Sequence, residues 1–202
     1  MFTGLIETLG RVAEVHRTAT GLRLRIGTTL ASELAPGDSL AVNGVCLTVA
    51  AVGGDHVDCD IGPETARVTT LGTLQTDEPL NLERSMRADG RFGGHFVQGH
   101  IDGTGRLARI REEGDARWLT VSFSTALAPY LIPRGSIAVD GISLTVAVLA
   151  EGTFDVMIVP YTWHHTNLRA RRVGDAVNLE CDMIGKYVVR AAEAMARADS
   201  GR

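Results

Sequence analysis

An eleven-residue stretch occurs twice in this chain. Ser39 to Val49 reads SLAVNGVCLTV and Ser136 to Val146 reads SIAVDGISLTV, with seven positions identical and the rest Leu/Ile, Asn/Asp, Val/Ile and Cys/Ser pairs. The correspondence extends through both halves: Gly4 to Arg11 matches Gly99 to Arg106, Val57 to Thr65 matches Phe154 to Thr162, and Asn81-Leu82-Glu83 matches Asn178-Leu179-Glu180. The separation is 95 residues at the start and 97 afterwards, so four blocks keep their order with one two-residue adjustment. A chain built this way folds as two copies of one unit. At 202 residues, each half is long enough to bury a core of its own.

The unit is a β unit. Short runs of Val, Ile, Leu and Thr are broken by Gly, Asp, Asn or Pro, and LRLRI (Leu22–Ile26) and WLTVSF (Trp118–Phe123) alternate as strands with one wet face. Asn43-Gly44 and Asp140-Gly141 each sit between two apolar runs, as the central pair of a type I′ hairpin turn does. About six strands per half with little helical pattern predict an all-β fold, two small closed antiparallel barrels in which closure removes the exposed edges. Brief helical turns are expected at Thr29–Leu34 and Ser124–Leu131, with Ser124 as an N-cap. From Ile184 through Val188, Ala191, Ala192 and Met195 the apolar residues recur at helical spacing outside the repeat. The predicted organisation is an N-terminal barrel (1–94), a C-terminal barrel (95–184) and a C-terminal helix and tail (185–202), with the Gly-rich Met86–Gly94 as connector.

Composition narrows the partners. A net charge of −4 without a Lys/Arg run argues against nucleic acid, and Arg169, Arg171 and Arg172 read as a solvated turn. Glu7 interrupts the N-terminus where a signal peptide needs an apolar stretch, and no apolar run approaches membrane-spanning length, so a soluble cytoplasmic protein away from membranes is expected. Cys46, Cys59 and Cys181 form no CxxC pair, and the six histidines lack carboxylates at ligand spacing, so neither a disulfide framework nor a metal is expected.

Two equivalent small-molecule sites follow from the duplication. Cys46 and Thr48 point to one side of their strand, as do Ser143 and Thr145 of theirs, which sets two polar groups together on each wall. Differences between copies carry the chemistry: Leu5 stands opposite His100, Asn43 opposite Asp140, Cys46 opposite Ser143 and Arg84 opposite Asp182. The second copy thereby gains an imidazole, a hydroxyl and two carboxylates.

The blocks MFTGLIETLGRV, NGVCLTV, NLERSM, GGHFVQGHIDG, GSIAVDGISLTV, IVPYTWHHTNL and NLECDMIGKY, taken together from Met1 to about Tyr187, resemble the riboflavin synthase family of the alpha-chain type. That resemblance implies two six-stranded Greek-key barrels of flavin-reductase-like shape and a C-terminal helix through which three chains assemble. It implies a cofactor-free dismutation of two 6,7-dimethyl-8-ribityllumazine molecules by transfer of a four-carbon unit, at a site between barrels of neighbouring chains, with lumazine synthase as a candidate partner. Carried onto this sequence, it assigns Gly4, Leu5, Ile6, Cys46, Leu47, Thr48, Asp60, Ile61, Gly62, Pro63, Glu64 and Thr65 to the N-terminal ligand site. The C-terminal site takes Gly99, His100, Ile101, Ser143, Leu144, Thr145, Met157, Ile158, Val159, Pro160, Tyr161 and Thr162. Phe2 is expected to cover a ligand ring, and Arg134, which stands where many relatives have Lys, is assigned to substrate binding. His100 and Ser143 are expected to handle protons or the added nucleophile, supported by Asp182 and Asp140, with Cys46 as the N-terminal counterpart and His95 as a weaker candidate. The competing expectation is a non-catalytic lumazine- or flavin-binding antenna protein of the same superfamily.

Overall fold

Asn43 and Gly44 adopt φ of 46° and 79°, and Asp140 and Gly141 adopt 45° and 80°. Positive φ at both central residues is what a type I′ turn requires, and Asn, Asp and Gly tolerate it. The computed structural model describes residues 1–200. Its first half contains β1 (Thr8–Thr18), β2 (Gly21–Gly27), β3 (Ser39–Val42), β4 (Val45–Val52), β5 (His56–Ile61), the short helix α1 (Pro63–Val68) and β6 (Pro79–Arg84). The second repeats them as β7 (Gly103–Glu113), β8 (Ala116–Ser122), β9 (Ser136–Val139), β10 (Ile142–Ala150), β11 (Thr153–Ile158), α2 (Pro160–His165) and β12 (Ala176–Cys181), followed by α3 (Met183–Ser200).

Each half closes into a six-stranded antiparallel barrel, as expected. The first runs β1-β2-β5-β4-β3-β6 and the second has the same neighbours, β7-β8-β11-β10-β9-β12. Register breaks fall at matching places, between Val12 and Glu14 on β1 and Leu107 and Arg109 on β7, and again between Val49 and Ala51 and between Val146 and Val148. Such bulges sharpen the local twist that closure needs. Inward residues such as Leu24, Leu40, Val49 and Leu82 fill one core; Leu119, Ile137, Val146 and Phe154 fill the other.

The turns expected at Thr29–Leu34 and Ser124–Leu131 are 3-10 turns over Thr29–Glu33 and Thr125–Tyr130, the second capped by Ser124. The sequence reading did not find α1 and α2. Each opens with Pro at its first position, which presets the helical φ, but six residues are too few to show a 3.6-residue period.

The leading segments of the two halves cross over. Phe2 and Val97 exchange backbone hydrogen bonds of 2.7 and 3.2 Å, after which Ile6 packs on the core of the second barrel and Ile101 on that of the first. Glu83 holds the first of these segments by accepting from the backbone N–H groups of Thr3 (2.6 Å) and Gly4 (2.9 Å). Glu180 does the same for Gln98 (2.7 Å) and Gly99 (2.9 Å). Burial raises the pKa of both carboxyls, and these hydrogen bonds oppose it.

A pseudo-twofold relates the barrels, and its axis is filled. Gly44 and Gly141 meet so closely that a Cβ on either would lie 2.6 to 2.9 Å from the other's backbone. Around them lies a buried polar cluster. Asn81 Nδ2 donates to the Asp140 carbonyl and to Asn167 Oδ1, Asn178 Nδ2 donates to the Asn43 carbonyl, and the Asp140 carboxylate accepts from the Asn178 N–H, Asn167 Nδ2 and Arg171 Nη2, all at 2.8 to 2.9 Å. Arg171 is therefore no part of a solvated basic turn: its side chain is 14% exposed and neutralises the fully buried Asp140.

Helix α3 leaves the second barrel with Ile184, Tyr187, Val188 and Met195 all exposed. Its first turn is tied down by Lys186 Nζ to Asp102 at 2.7 Å. None of the described helices is long and apolar enough to cross a membrane.

Candidate functional site

Alternation along β4 and β10 sends Val45, Leu47 and Val49 and their counterparts Ile142, Leu144 and Val146 inward. Cys46, Thr48, Ser143 and Thr145 therefore lie on the outer surfaces of the barrels. Continuing the pairing of Val49 with Cys59 brings Thr48 beside Asp60 and Cys46 beside Gly62. Continuing that of Val146 with Val156 brings Thr145 beside Met157 and Ser143 beside Val159. Each barrel thus presents one outer wall with a short helix at its end.

The crossover decides what stands next to each wall. The Gly4 carbonyl accepts from the Ser143 N–H at 2.8 Å, and the Gly99 carbonyl accepts from the Cys46 N–H at 2.9 Å. Gly4-Leu5-Ile6, assigned by sequence to the N-terminal wall, lies against the C-terminal wall, and Gly99-His100-Ile101 lies against the N-terminal wall. The assignment by half fails because the exchange is made between halves, a non-local event that leaves no trace in strand periodicity. Both contacts need glycine: Gly4 and Gly99 have φ of 78° and 82°, and a Cβ on either would fall 2.5 to 2.7 Å from the opposing Cβ. Gly99→Ala is accordingly expected to cost about 2 kcal/mol or more, read from its midpoint in thermal or urea unfolding, while alanine at the open Gly54 should cost far less.

His95, the weaker candidate from sequence, is the histidine that reaches Ser143, with Nδ1 2.7 Å from Oγ. It is buried, and its Nε2 has no hydrogen-bond partner among the described residues. Burial holds its pKa below the ordinary imidazole value, and the charge of Asp182 partly opposes that. Exposed His100 instead follows Gly99 on the Cys46 side. Of the candidates that the sequence placed in the C-terminal site, Ser143 thus has His95 rather than His100 within hydrogen-bond reach.

Asp140 does not support either group, because its carboxylate is spent on Arg171, Asn167 and the Asn178 N–H at the axis. Asp182 is the second-half counterpart of Ser85 rather than Arg84, since Leu40 pairs with Arg84 where Ile137 pairs with Cys181. Phe2 is fully buried with Ala41, Val97 and Ala138 between the barrels, which makes it a wedge rather than a cover for a ligand ring. Arg134 is exposed at φ 65°, the turn position that Gly37 occupies at φ 97° in the first half.

Of the remaining assigned residues, Leu47, Ile61, Leu144 and Ile158 turn into the cores. Gly62 and Val159 cap α1 and α2, Pro63 and Pro160 open them, and the Thr65 and Thr162 carbonyls accept from the hydroxyls of Thr69 and Thr166. The exposed ends of the walls differ in character. The N-terminal one carries a bidentate Arg23 to Asp60 pair at 2.7 and 2.8 Å and a Glu64 to Arg67 pair; the C-terminal one carries Met157, Val159 and Tyr161, whose ring stacks on His165 at 4.0 Å.

Among the thiols, burial pushes Cys59 and Cys181 up to about 12, leaving half-buried Cys46 as the one facing a wall. The sequence reading assigned no role to Glu83, Glu180 or the asparagine cluster, although Asn81 and Glu83 recur as Asn178 and Glu180 in the second copy.

A model of the lumazine binding domain matches the chain twice, over residues 3–85 and 98–182. Among curated proteins, the chain is 44% identical to a riboflavin synthase of Actinobacillus pleuropneumoniae over 93% of this chain and 88% of the relative. It is 42% identical to that of Bacillus amyloliquefaciens (94% and 89%) and 39% identical to that of Schizosaccharomyces pombe (96% and 95%). Among solved structures, LumP complexed with 6,7-dimethyl-8-(1'-D-ribityl) lumazine superposes with a TM-score of 0.82 at 23% identity, covering 90% of this chain and 99% of that one. LumP complexed with riboflavin gives a TM-score of 0.84 at 23% identity, with the same coverage.

Proposed function

The chain belongs to the riboflavin synthase family, a transferase with two lumazine-binding domains in one polypeptide, and from that premise we propose that it acts on two molecules of 6,7-dimethyl-8-ribityllumazine. One gives up a four-carbon unit and leaves as 5-amino-6-(D-ribitylamino)uracil; the other gains it and leaves as riboflavin. The two substrates contain between them every atom of the two products, so the transfer calls for no external oxidant or reductant.

The observation that carries this reading is the pair of outer walls, alike in backbone and unlike in side chains. A dismutation needs the same molecule bound twice and treated differently. The shared strand frame and its glycine contacts suit two copies of one ligand, while Cys46 with His100 on one wall and Ser143 with His95 on the other supply different chemistry. In this reading neutral His95 and Ser143 move the proton of the acidic ring methyl, and Thr48 and Thr145 anchor polar ring edges.

The two substrates meet between chains. Within one chain the pseudo-twofold axis is filled by Gly44, Gly141, Phe2 and the asparagine cluster, which favours a meeting of the N-terminal wall of one copy with the C-terminal wall of another. The exposed apolar residues of α3 are suited to assembly into a homotrimer. Holding two bulky reactants face to face is then the main source of rate acceleration.

Incubating the protein with 6,7-dimethyl-8-ribityllumazine should produce riboflavin absorbance, and tight binding without conversion would leave only a binding module. Ending the chain after Gly185 should yield monomers with little activity; a fully active truncated monomer would sink the site between chains.

A further inference from the structure

A single carboxylate oxygen closes the loop between β12 and α3. Asp102 Oδ2 accepts from the Cys181 N–H at 2.8 Å and from Lys186 Nζ at 2.7 Å, so the residues between them, Asp182 to Gly185, are tied at both ends. Inside this loop Asp182 Oδ1 accepts from the Ile184 N–H at 3.0 Å and caps the first turn of α3. Gly185 lies against the barrel, where a Cβ would fall 3.2 Å from the Tyr130 carbonyl oxygen. The first half has the same carboxylate without the loop. Glu7, the counterpart of Asp102, accepts from the Arg84 N–H at 2.7 Å and from the Arg84 guanidinium at 2.7 and 2.9 Å, so amide and cation come from one strand residue. The second half has Cys181 in place of Arg84 and draws its cation from the helix instead.

Asp182 borders the C-terminal wall. Continuing the pairing of Cys181 with Ile137 brings Asp182 beside Ser136, whose partner on β10 is Thr145. Cys181 turns into the core, so alternation directs Asp182 to the outer side that Thr145 shares. Its charge reaches His95, which is hydrogen-bonded to Ser143. We infer that Lys186 and Asp102 are positioning residues: their ion pair fixes the Asp182 carboxylate at the edge of this wall and ties that placement to α3. The role of Asp182 toward the ligand rests on the function proposed above. A carboxylate on an untied loop samples many positions, and a displacement of about 1 Å can cost up to about 10² in rate. The pair is partly shielded from water, with side chains 25% and 22% exposed, so salt screens it less than a surface contact.

The test compares the unmodified full-length protein with Lys186→Met and Lys186→Arg, and repeats Lys186→Met in an Asp182→Asn background. Conversion of 6,7-dimethyl-8-ribityllumazine gives kcat and KM, and light scattering gives the mass of the assembly. Lys186→Met is expected to lower kcat about tenfold with KM changed less than about twofold. Lys186→Arg, which keeps a cation for Asp102, should recover most of the loss. In the Asp182→Asn background Lys186→Met should lower kcat no further, because the carboxylate it places is gone. A second full loss there overturns the inference, as does an unchanged kcat in Lys186→Met alone. Every variant keeps the apolar residues of α3, so the mass should not change; a fall in mass together with kcat also overturns it, since Lys186 would then act through assembly. Hydrogen exchange of the Cys181–Tyr187 amides is measured on the same proteins. Faster exchange in Lys186→Met, recovered in Lys186→Arg, is expected whether or not the protein turns over, and unchanged exchange overturns the clamp. An unmodified protein that makes no riboflavin sinks the proposed reaction, and the clamp then stands or falls by the exchange alone.

Discussion

Truncating Arg171 to alanine is expected to cost about 3 kcal/mol of stability, because it strands the fully buried Asp140 carboxylate without its counterion. The Asn167 amide and the Asn178 N–H keep the carboxylate hydrogen-bonded, which places the cost at the lower end of what breaking a buried ion pair entails. The first half shows how the same position is occupied without charge, with Asn43 in place of Asp140 and buried Leu74 in place of Arg171. Asp140→Asn combined with Arg171→Leu should therefore come within about 1 kcal/mol of the unmodified protein, since a buried pair replaced as a unit by neutral, well-packed groups is often near neutral. Urea unfolding of both single variants and the double variant closes the cycle. Additive losses would mean that the two residues act independently and that the second barrel does not tolerate the first barrel's solution.

Ser143→Ala and His95→Ala are each expected to lower turnover by about 10² to 10⁴, with ligand affinity changed only a few-fold, as removal of a proton-transfer group does. The pH dependence carries the sign of the His95 shift. Burial holds its pKa below the ordinary value near 6.5, so the imidazole is neutral at pH 7 and activity should persist through the usual histidine range, falling only at lower pH. The stability contribution runs the same way: it is complete above the unfolded value and lost as pH falls through the depressed folded value. Asp182 favours the imidazolium, so Asp182→Asn should move the acid limb to still lower pH. An acid limb at or above 6.5 that survives in His95→Ala would show that another group carries the proton. Equal losses of affinity and turnover would assign Ser143 to binding alone.

These two expectations differ in how far the sequence could have led to them. The difference between Asn43 and Asp140 was visible in the alignment, yet it suggested chemistry, because a carboxylate gained beside Ser143 in sequence looks available to it. In the fold the carboxylate faces the axis, and Arg171, 31 residues away, has been recruited to neutralise it. His95 and Ser143 lie 48 residues apart and meet only because the segments of Thr3-Gly4 and His95 run side by side along the strand that carries Ser143.

What the sequence by itself determined is whatever local spacing and self-similarity encode. The duplicated blocks and their two-residue periodicity specify two closed six-stranded barrels. The Asn-Gly and Asp-Gly pairs specify the hairpins, and alternation specifies that Cys46 and Thr48, like Ser143 and Thr145, share a face. The tertiary structure alone decided which residues meet across the repeat: Gly4 with Ser143, Gly99 with Cys46, Asp140 with Arg171, Phe2 with Ala138. An internal duplication aligns each residue with its counterpart, but it does not record that counterparts such as Gly44 and Gly141 or Phe2 and Val97 meet across the axis, nor which non-counterparts meet beside them. Such contacts are set by packing and by the need to neutralise or hydrogen-bond every buried polar group, and a one-dimensional pattern does not record them.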